Sequence, residues 1–368
     1  ASDWSSDVCS SDLLTILVLT ILFVIYRKTR SYRAKVHFNP NGQVEHLVSQ
    51  MTSLEKPYKP TWWLIGPNIH TIMGMRYRKK SRMECRRELI VFEDGGTSAL
   101  DWFESKEAKE DTPIVIIIHT LAGGTREPCS NNLAEALVKK GFRAVVANNR
   151  CCSGAPITSA KYYDLTSSAD IEFTVKHIRE EFKPKFLFIA GFSLGGYIAI
   201  QYACANNDID GFACISHTMD SVKAAKVIET PIKKKLYTAY MMSKLKHLIK
   251  KNKFINCPEV QKATTLTQFD DILTCKLLGF KDYIEYYSTL RIYDKIPRVN
   301  MPGLLLSADD DPFTDKKYLP IKETEESQLI TLVHYPEGGH VSFLTGNDAQ
   351  ASQIDIVIPE WFETIMKD

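Results

Sequence analysis

The chain has 368 residues, of which 44% are hydrophobic and 24% charged, and its formal net charge is +2. That length can bury one large α/β core or two smaller ones, and so balanced a charge gives no ground for a nucleic-acid partner. Nine scattered cysteines, an odd count with no C-x-x-C pair, exclude a disulfide framework and metal-type spacing and fit a reducing compartment.

Residues 1–12 are polar and repeat Ser-Ser-Asp, and they are set aside as foreign to the fold. Residues 13–26 are an unbroken apolar run with two threonines. As a helix it rises ~21 Å, against a hydrocarbon core of ~30 Å. A signal-peptide core, a buried helix, or a membrane anchor whose start is missing would fit that length. However, Arg27, Lys28, Arg30, Arg33 and Lys35 follow at once and no small-residue cleavage site does, which favours a single-pass membrane anchor. Positive charge after the span places the following domain in the cytosol; it does not name the organelle, for which the endoplasmic reticulum is only a guess. The absence of an N-x-S/T glycosylation site agrees. Residues 27–86 read as a juxtamembrane arm, irregular from 36 to 85. Its Trp62, Trp63, His70 and Thr71 are expected to pack over the domain surface rather than face a membrane.

From Arg87 onward the pattern is regular, and 87–368 reads as one α/β domain. Leu89–Phe92 and Ala99–Phe103, joined by Asp94-Gly95-Gly96, predict an antiparallel hairpin. Buried strands are then expected at Ile114–Ile118, Ala144–Ala147, Phe186–Ala190, Phe212–Ser216, Gly303–Ser307 and Leu329–Val333. Between them, Leu133, Ala134, Leu137 and Val138 mark one helix face, and Ile171, Val175, Ile178 and Phe182 another. A terminal amphipathic helix carries Ile358, Trp361, Phe362 and Ile365. Alternating strands and helices predict a mostly parallel central sheet with helices on both faces, and ligands in such sheets bind at the carboxyl ends of the strands. Residues 217–300 interrupt the alternation and read as a helical lid insertion. Lysines there alternate with Leu236, Tyr240, Leu245, Leu248 and Ile249, either as a solvated helix face or as a basic surface against lipid headgroups.

Chemistry centres on Gly191-Phe-Ser193-Leu-Gly195, between the Phe186–Ala190 strand and an apolar helix. A bare G-x-S-x-G arises by chance in roughly one chain in ten of this length. The strand before and the helix after make it a nucleophile elbow, in which glycines at the flanking positions avoid clashes with the neighbouring strand and helix. A serine hydroxyl needs a base, oriented by a buried carboxylate. In elbow-type folds the chain order is Ser, acid, His. His340, in Pro336-Glu-Gly-Gly-His340 just past the last strand, is the candidate base. His334 is its rival, and His119 and His217 read as structural. The acid lies in Asp309-Asp310-Asp311-Pro312; Asp311, fixed by the proline, comes first, Asp310 second and Asp220 a more distant alternative. The oxyanion needs two backbone N–H groups. Leu194, after the nucleophile, and Leu121, in the loop after Ile114–Ile118, are the expected donors.

Several further pieces accompany these residues in order: Trp62-Trp63 with His70-Thr71-Ile72; Leu100-Asp-Trp-Phe103; Asn148-Asn-Arg150 with Ser153-Gly154; Gly279-Phe280 with Asp282-Tyr283; Ala308-Asp-Asp-Asp-Pro-Phe313; and Gly338-Gly-His340. In them the chain, from about Thr61 to its end, resembles the membrane-anchored abhydrolase-domain-containing proteins of types one and three. That group, the AB hydrolase 4 family, also takes in type two and bacterial and plant relatives. The resemblance implies an α/β-hydrolase fold and a triad of Ser193, Asp311 and His340. It also implies a serine esterase acting on phospholipid or acylglycerol, with no metal or organic cofactor. Thr120 and Cys151 stand where the family has glycine. The expected partners are a lipid ester and a membrane, and no nucleic acid. Acyl transfer to an alcohol other than water, or lipid binding by a pseudo-enzyme, are the competing functions.

Overall fold

The computed structural model describes residues 10–162 and 164–368. Most of the polar tail assigned to 1–12 lies outside the described residues, as do the side chains of 10–12.

Nine strands build one sheet: β1 (Lys35–His37), β2 (Arg86–Val91), β3 (Thr97–Phe103), β4 (Ile114–Ile118), β5 (Arg143–Asn148), β6 (Leu187–Phe192), β7 (Gly211–Ile215), β8 (Gly303–Ala308) and β9 (Ile330–Tyr335). Their order is β1-β9-β8-β7-β6-β4-β5-β3-β2. β5, β4, β6, β7, β8 and β9 run parallel to their neighbours, while β1, and the β2–β3 hairpin against β5, pair antiparallel. The chain therefore has the expected mostly parallel sheet.

The strands are apolar throughout because both faces are covered. Ile114, Ile116 and Ile118 point into one core with Ile171, Val175 and Ile178 of the Ala169–Phe182 helix and with the Leu194–Ala205 helix. Val115 and Ile117 point into the other, against Leu133 and Leu137 of the Pro128–Lys139 helix and Trp361 and Phe362 of the Ile354–Ile365 helix. Alternation along one strand thus feeds two cores.

The region between β7 and β8 is helical, with segments at Ser221–Ile228, Ala239–Lys251, Leu266–Phe269, Cys275–Leu278 and Tyr283–Ser288. In the basic Ala239–Lys251 helix, Met242, Leu245 and Ile249 are buried with Val260, Phe269 and Leu273, so most of its apolar face is core rather than open surface. Tyr240 remains 37% exposed.

Two expectations change at the N-terminus. The apolar run lies in a helix, Ser10–Thr29, but among the described residues no helix is long and apolar enough to cross a membrane. The expected single-pass span is therefore not supported by the described residues, whose unbroken apolar stretch rises about 21 Å against a hydrocarbon core of about 30 Å. Of the basic residues after the run, Lys28, Arg33 and Lys35 are exposed while two arginines turn inward. Arg27 and Arg30 are buried, 7% and 8% exposed, and both are paired with Glu337. The arm is also less irregular than its sequence suggested. It contributes β1, and Thr61 N–H bonds Leu344 O at 3.1 Å.

Candidate active site

β6 ends at Phe192 and the Leu194–Ala205 helix begins at Leu194, so Ser193 alone makes the turn. Its φ of 52° lies in the left-handed region that L-residues rarely adopt, a strain of about 1–3 kcal/mol that the surroundings must offset. One support is the Ser193 N–H, which donates to Ile215 O at the end of β7, 2.8 Å away. The flanking glycines are required by contact: a Cβ on Gly191 would sit 2.1 Å from Gly195 O, and one on Gly195 would sit 2.2 Å from Ile118 O.

The Ser193 hydroxyl donates to His340 Nε2 at 2.9 Å. His340 Nδ1–H donates to Asp311 Oδ2, also at 2.9 Å. Both partners of that second bond are buried, with side-chain exposures of 5% and 3%. The other Asp311 oxygen accepts from Phe313 N–H at 2.8 Å, and the Phe313 ring packs 4.1 Å from the imidazole. The structure thus brings Ser193, His340 and Asp311 into one hydrogen-bonded line.

The rivals are occupied elsewhere. Asp310 accepts from the Gly338 and Gly339 amides, each at 2.9 Å, and shapes the histidine loop instead of touching the imidazole. Desolvation pushes its carboxyl up to about 6, against the two amide bonds. Asp309 pairs with His334 Nδ1 at 2.5 Å and with Lys35 Nζ at 3.0 Å. Asp220 caps the Ser221–Ile228 helix, accepting from Lys223 N–H at 3.0 Å.

Leu121 and Leu194 both line the cleft beside Ser193. Leu194 opens a helix, where an amide has no intrahelical acceptor. Among the described residues the Leu121 amide donates to no backbone carbonyl. Behind that loop, the His119 ring donates to Thr120 O at 2.6 Å and accepts from Asn149 N–H at 3.0 Å. Thr120, where a glycine was expected, donates to both oxygens of Glu127, at 2.8 and 3.0 Å. Buried Asp101, from the Leu100-Asp-Trp-Phe103 motif, accepts both ends of the Arg87 guanidinium at 2.7 Å, and Asn148 at 3.0 Å. Asn148 in turn accepts from Thr125 N–H at 3.1 Å. Asp101 and Asn148 brace the loop from behind, while Thr120 and Glu127 stand in the cleft wall.

The cleft holds about 1220 Å³, counting its open mouth, under the helices between β7 and β8. Its walls are mainly apolar, among them Leu165, Ile228, Met241, Leu266 and Leu290. Asp270 is a polar exception. It accepts from the Tyr287 and Thr274 hydroxyls, and burial pushes its carboxyl up to about 6.

Sequence reasoning gave no partners for the supports of the serine and the histidine. His217, read as structural, donates from Nδ1 to the Ser193 carbonyl at 3.1 Å, and burial depresses it to about 4, so it stays neutral. Thr71 accepts the His340 amide at 2.9 Å from a helix more than 250 residues earlier. Its place beside His70 in a named motif was the available signal.

Comparison with known proteins places this geometry. Residues 113–238 match the alpha/beta hydrolase fold family. An abhydrolase domain-containing protein of Dictyostelium discoideum is 32% identical over 324 residues, 84% of this chain and 82% of the relative. The chain belongs to the abhydrolase domain-containing proteins. This abhydrolase is accordingly a hydrolase of α/β fold. It is also similar to Phospholipase ABHD3 of Mus musculus, 25% identical over 84% of this chain and 79% of that protein. A Monoacylglycerol lipase of Saccharomyces cerevisiae is 29% identical over 63% of this chain and 55% of its own length. Among solved structures, a bacterial membrane phospholipase A superposes with TM-score 0.53 at 14% identity, covering 98% of this chain and 100% of that one. An esterase of Pyrococcus furiosus gives 0.51 at 15%, covering 76% and 92%. These superpositions speak to the fold alone.

Proposed function

We propose that this abhydrolase is a serine esterase that hydrolyses acyl esters of lipids, phospholipid or acylglycerol, through an acyl-serine intermediate. The observation that carries this is the Ser193–His340–Asp311 line, opening into an apolar cleft. The names of the mouse and yeast relatives support the lipid class.

Ser193 Oγ attacks the acyl carbonyl while His340 Nε2 takes its proton. The Leu121 and Leu194 amides receive the oxyanion. Removing one such donor typically costs ~3–4 kcal/mol of transition-state stabilisation. The tetrahedral adduct collapses, the alcohol leaves with the proton from His340, and the acyl group stays on Ser193. Water, deprotonated by His340, then attacks the acyl-serine, and the collapse releases the fatty acid and returns the proton to Ser193. Asp311 holds the tautomer and stabilises the imidazolium. Residues 217–300 act as the lid over the cleft, and the arm at 27–86 braces the domain that runs from 87.

Association with a lipid surface runs through the Ser10–Thr29 helix. Of its large apolar side chains from Leu13 to Tyr26, all but Val24 are 46–62% exposed, a surface that a lipid interface would cover.

Purified protein assayed on a glycerophospholipid and a monoacylglycerol tests the activity. Release of fatty acid from at least one, abolished by Ser193→Ala, is expected. Turnover unchanged in Ser193→Ala would remove Ser193 from the reaction.

A further inference from the structure

The loop Pro336-Glu-Gly-Gly-His340 has no regular structure of its own, so its position is set by what grips it. Three grips act on consecutive parts of it. The Gly338 and Gly339 amides are held by Asp310, and the His340 amide by Thr71. The third is Glu337. Its Oε1 accepts from the Tyr32 hydroxyl at 2.8 Å and pairs with Arg30, and Arg27 lies 3.9 Å away. Arg27 is itself tied to the arm, donating to Trp62 O at 2.9 Å and to Leu64 O. Two of the three grips on the loop therefore come from the N-terminal helix and arm, not from the sheet.

The node is built with an excess of cation. Two arginines share one carboxylate, and the Arg30 Nε and Nη2 are buried with no partner among the described residues. A surface ion pair would not need such burial, and a buried one is sensitive to loss of either charge. Arg27 and Arg30 occupy the last turn of the exposed apolar helix and the residue just after it. A shift of that helix would pass directly to a residue three positions before His340.

We propose that Glu337 is a positioning residue: it joins the N-terminal helix to the loop carrying His340, so that seating the helix on a lipid surface sets the base against Ser193. This rests on His340 being the base. A misplacement of about 1 Å at a catalytic group can cost on the order of 100-fold in rate, so a modest displacement of the loop is enough.

The full chain and its Glu337→Gln and Glu337→Asp variants are assayed on a water-soluble short-chain ester, with and without phosphatidylcholine vesicles. The parent is expected to turn over several-fold faster with vesicles present. Glu337→Gln is expected to lower kcat about 10- to 100-fold with KM within about twofold, and to lose the vesicle response; Glu337→Asp recovers part of both. Should Glu337→Gln fail to fold by circular dichroism, Arg30→Lys, which keeps the charge, is expected to lower kcat and the vesicle response from the helix side. A folded variant with parental kcat and parental vesicle response would overturn the positioning role alone. A parent that is inactive and takes no fluorophosphonate at Ser193 would overturn the base assignment and the positioning role with it.

Discussion

Asp309, Asp310 and Asp311 are three identical side chains in a row, and each has a different task. Only Asp311 reaches the imidazole; Asp310 holds two loop amides, and Asp309 pairs with His334 and Lys35. Asp311→Asn should therefore lower kcat by about 10³- to 10⁴-fold, whereas Asp310→Asn, which still offers an acceptor to the loop, should cost less than about tenfold. Steady-state kinetics on one soluble ester separates the two. Asp310 also carries a pH signature. Burial raises its folded pKa to about 6, above the ordinary carboxylate range, so the folded chain keeps a proton that the unfolded chain releases. The proton's contribution is fully present below about 4 and is lost as pH rises through 6. Asp310→Asn should accordingly gain melting temperature over the parent at pH 8 and gain little or none at pH 4, by thermal unfolding at both. The proline after Asp311 marked the aspartate that meets the imidazole. No local pattern could have separated the duties of the other two, because their partners lie on β1, β9 and the histidine loop.

At the scale of elements, the strands were legible because burial on both faces leaves a continuous apolar run, as in Ile114–Ile118, where sequence and structure give the same bounds. The hairpin was equally legible from Asp94-Gly95-Gly96. The arm was not. Lys35–His37 is too short and too mixed to read as a strand, and it forms only because β9 offers an edge at Val333 and His334. Trp62 and Thr71 looked like surface packing because their partners, Arg27 and His340, lie outside the local sequence. Thr71→Val keeps the shape but leaves the His340 amide without its acceptor, so it should destabilise the chain by about 1–3 kcal/mol and lower kcat with KM little changed. Thermal unfolding together with kinetics checks it, and a loss of stability with parental kcat would reduce Thr71 to a packing role.

The whole molecule combines an enclosed sheet with an exposed apolar helix. The basic run after Tyr26 suggested membrane topology, since cations after an apolar run usually mark a cytosolic flank. Instead Arg27 and Arg30 turn inward to Glu337, which a linear sequence separates from them by about 300 residues. The apolar helix is left exposed, and a lipid surface is the partner proposed for it. Leu17→Lys with Ile21→Lys, placed on its exposed surface, should abolish flotation with phospholipid vesicles while Ser193 still takes a fluorophosphonate in solution. Flotation that survives the double substitution would move the membrane contact elsewhere on the surface.

The most direct measurement is to mix the protein with a lipid ester, quench with acid within the first turnover, and locate the acyl group by peptide mass spectrometry. The account predicts one acyl chain on the peptide containing Ser193, absent in Ser193→Ala and accumulating in proportion to the alcohol released. Alcohol released at the parental rate with Ser193 unmodified, or an acyl group on another residue, would contradict it.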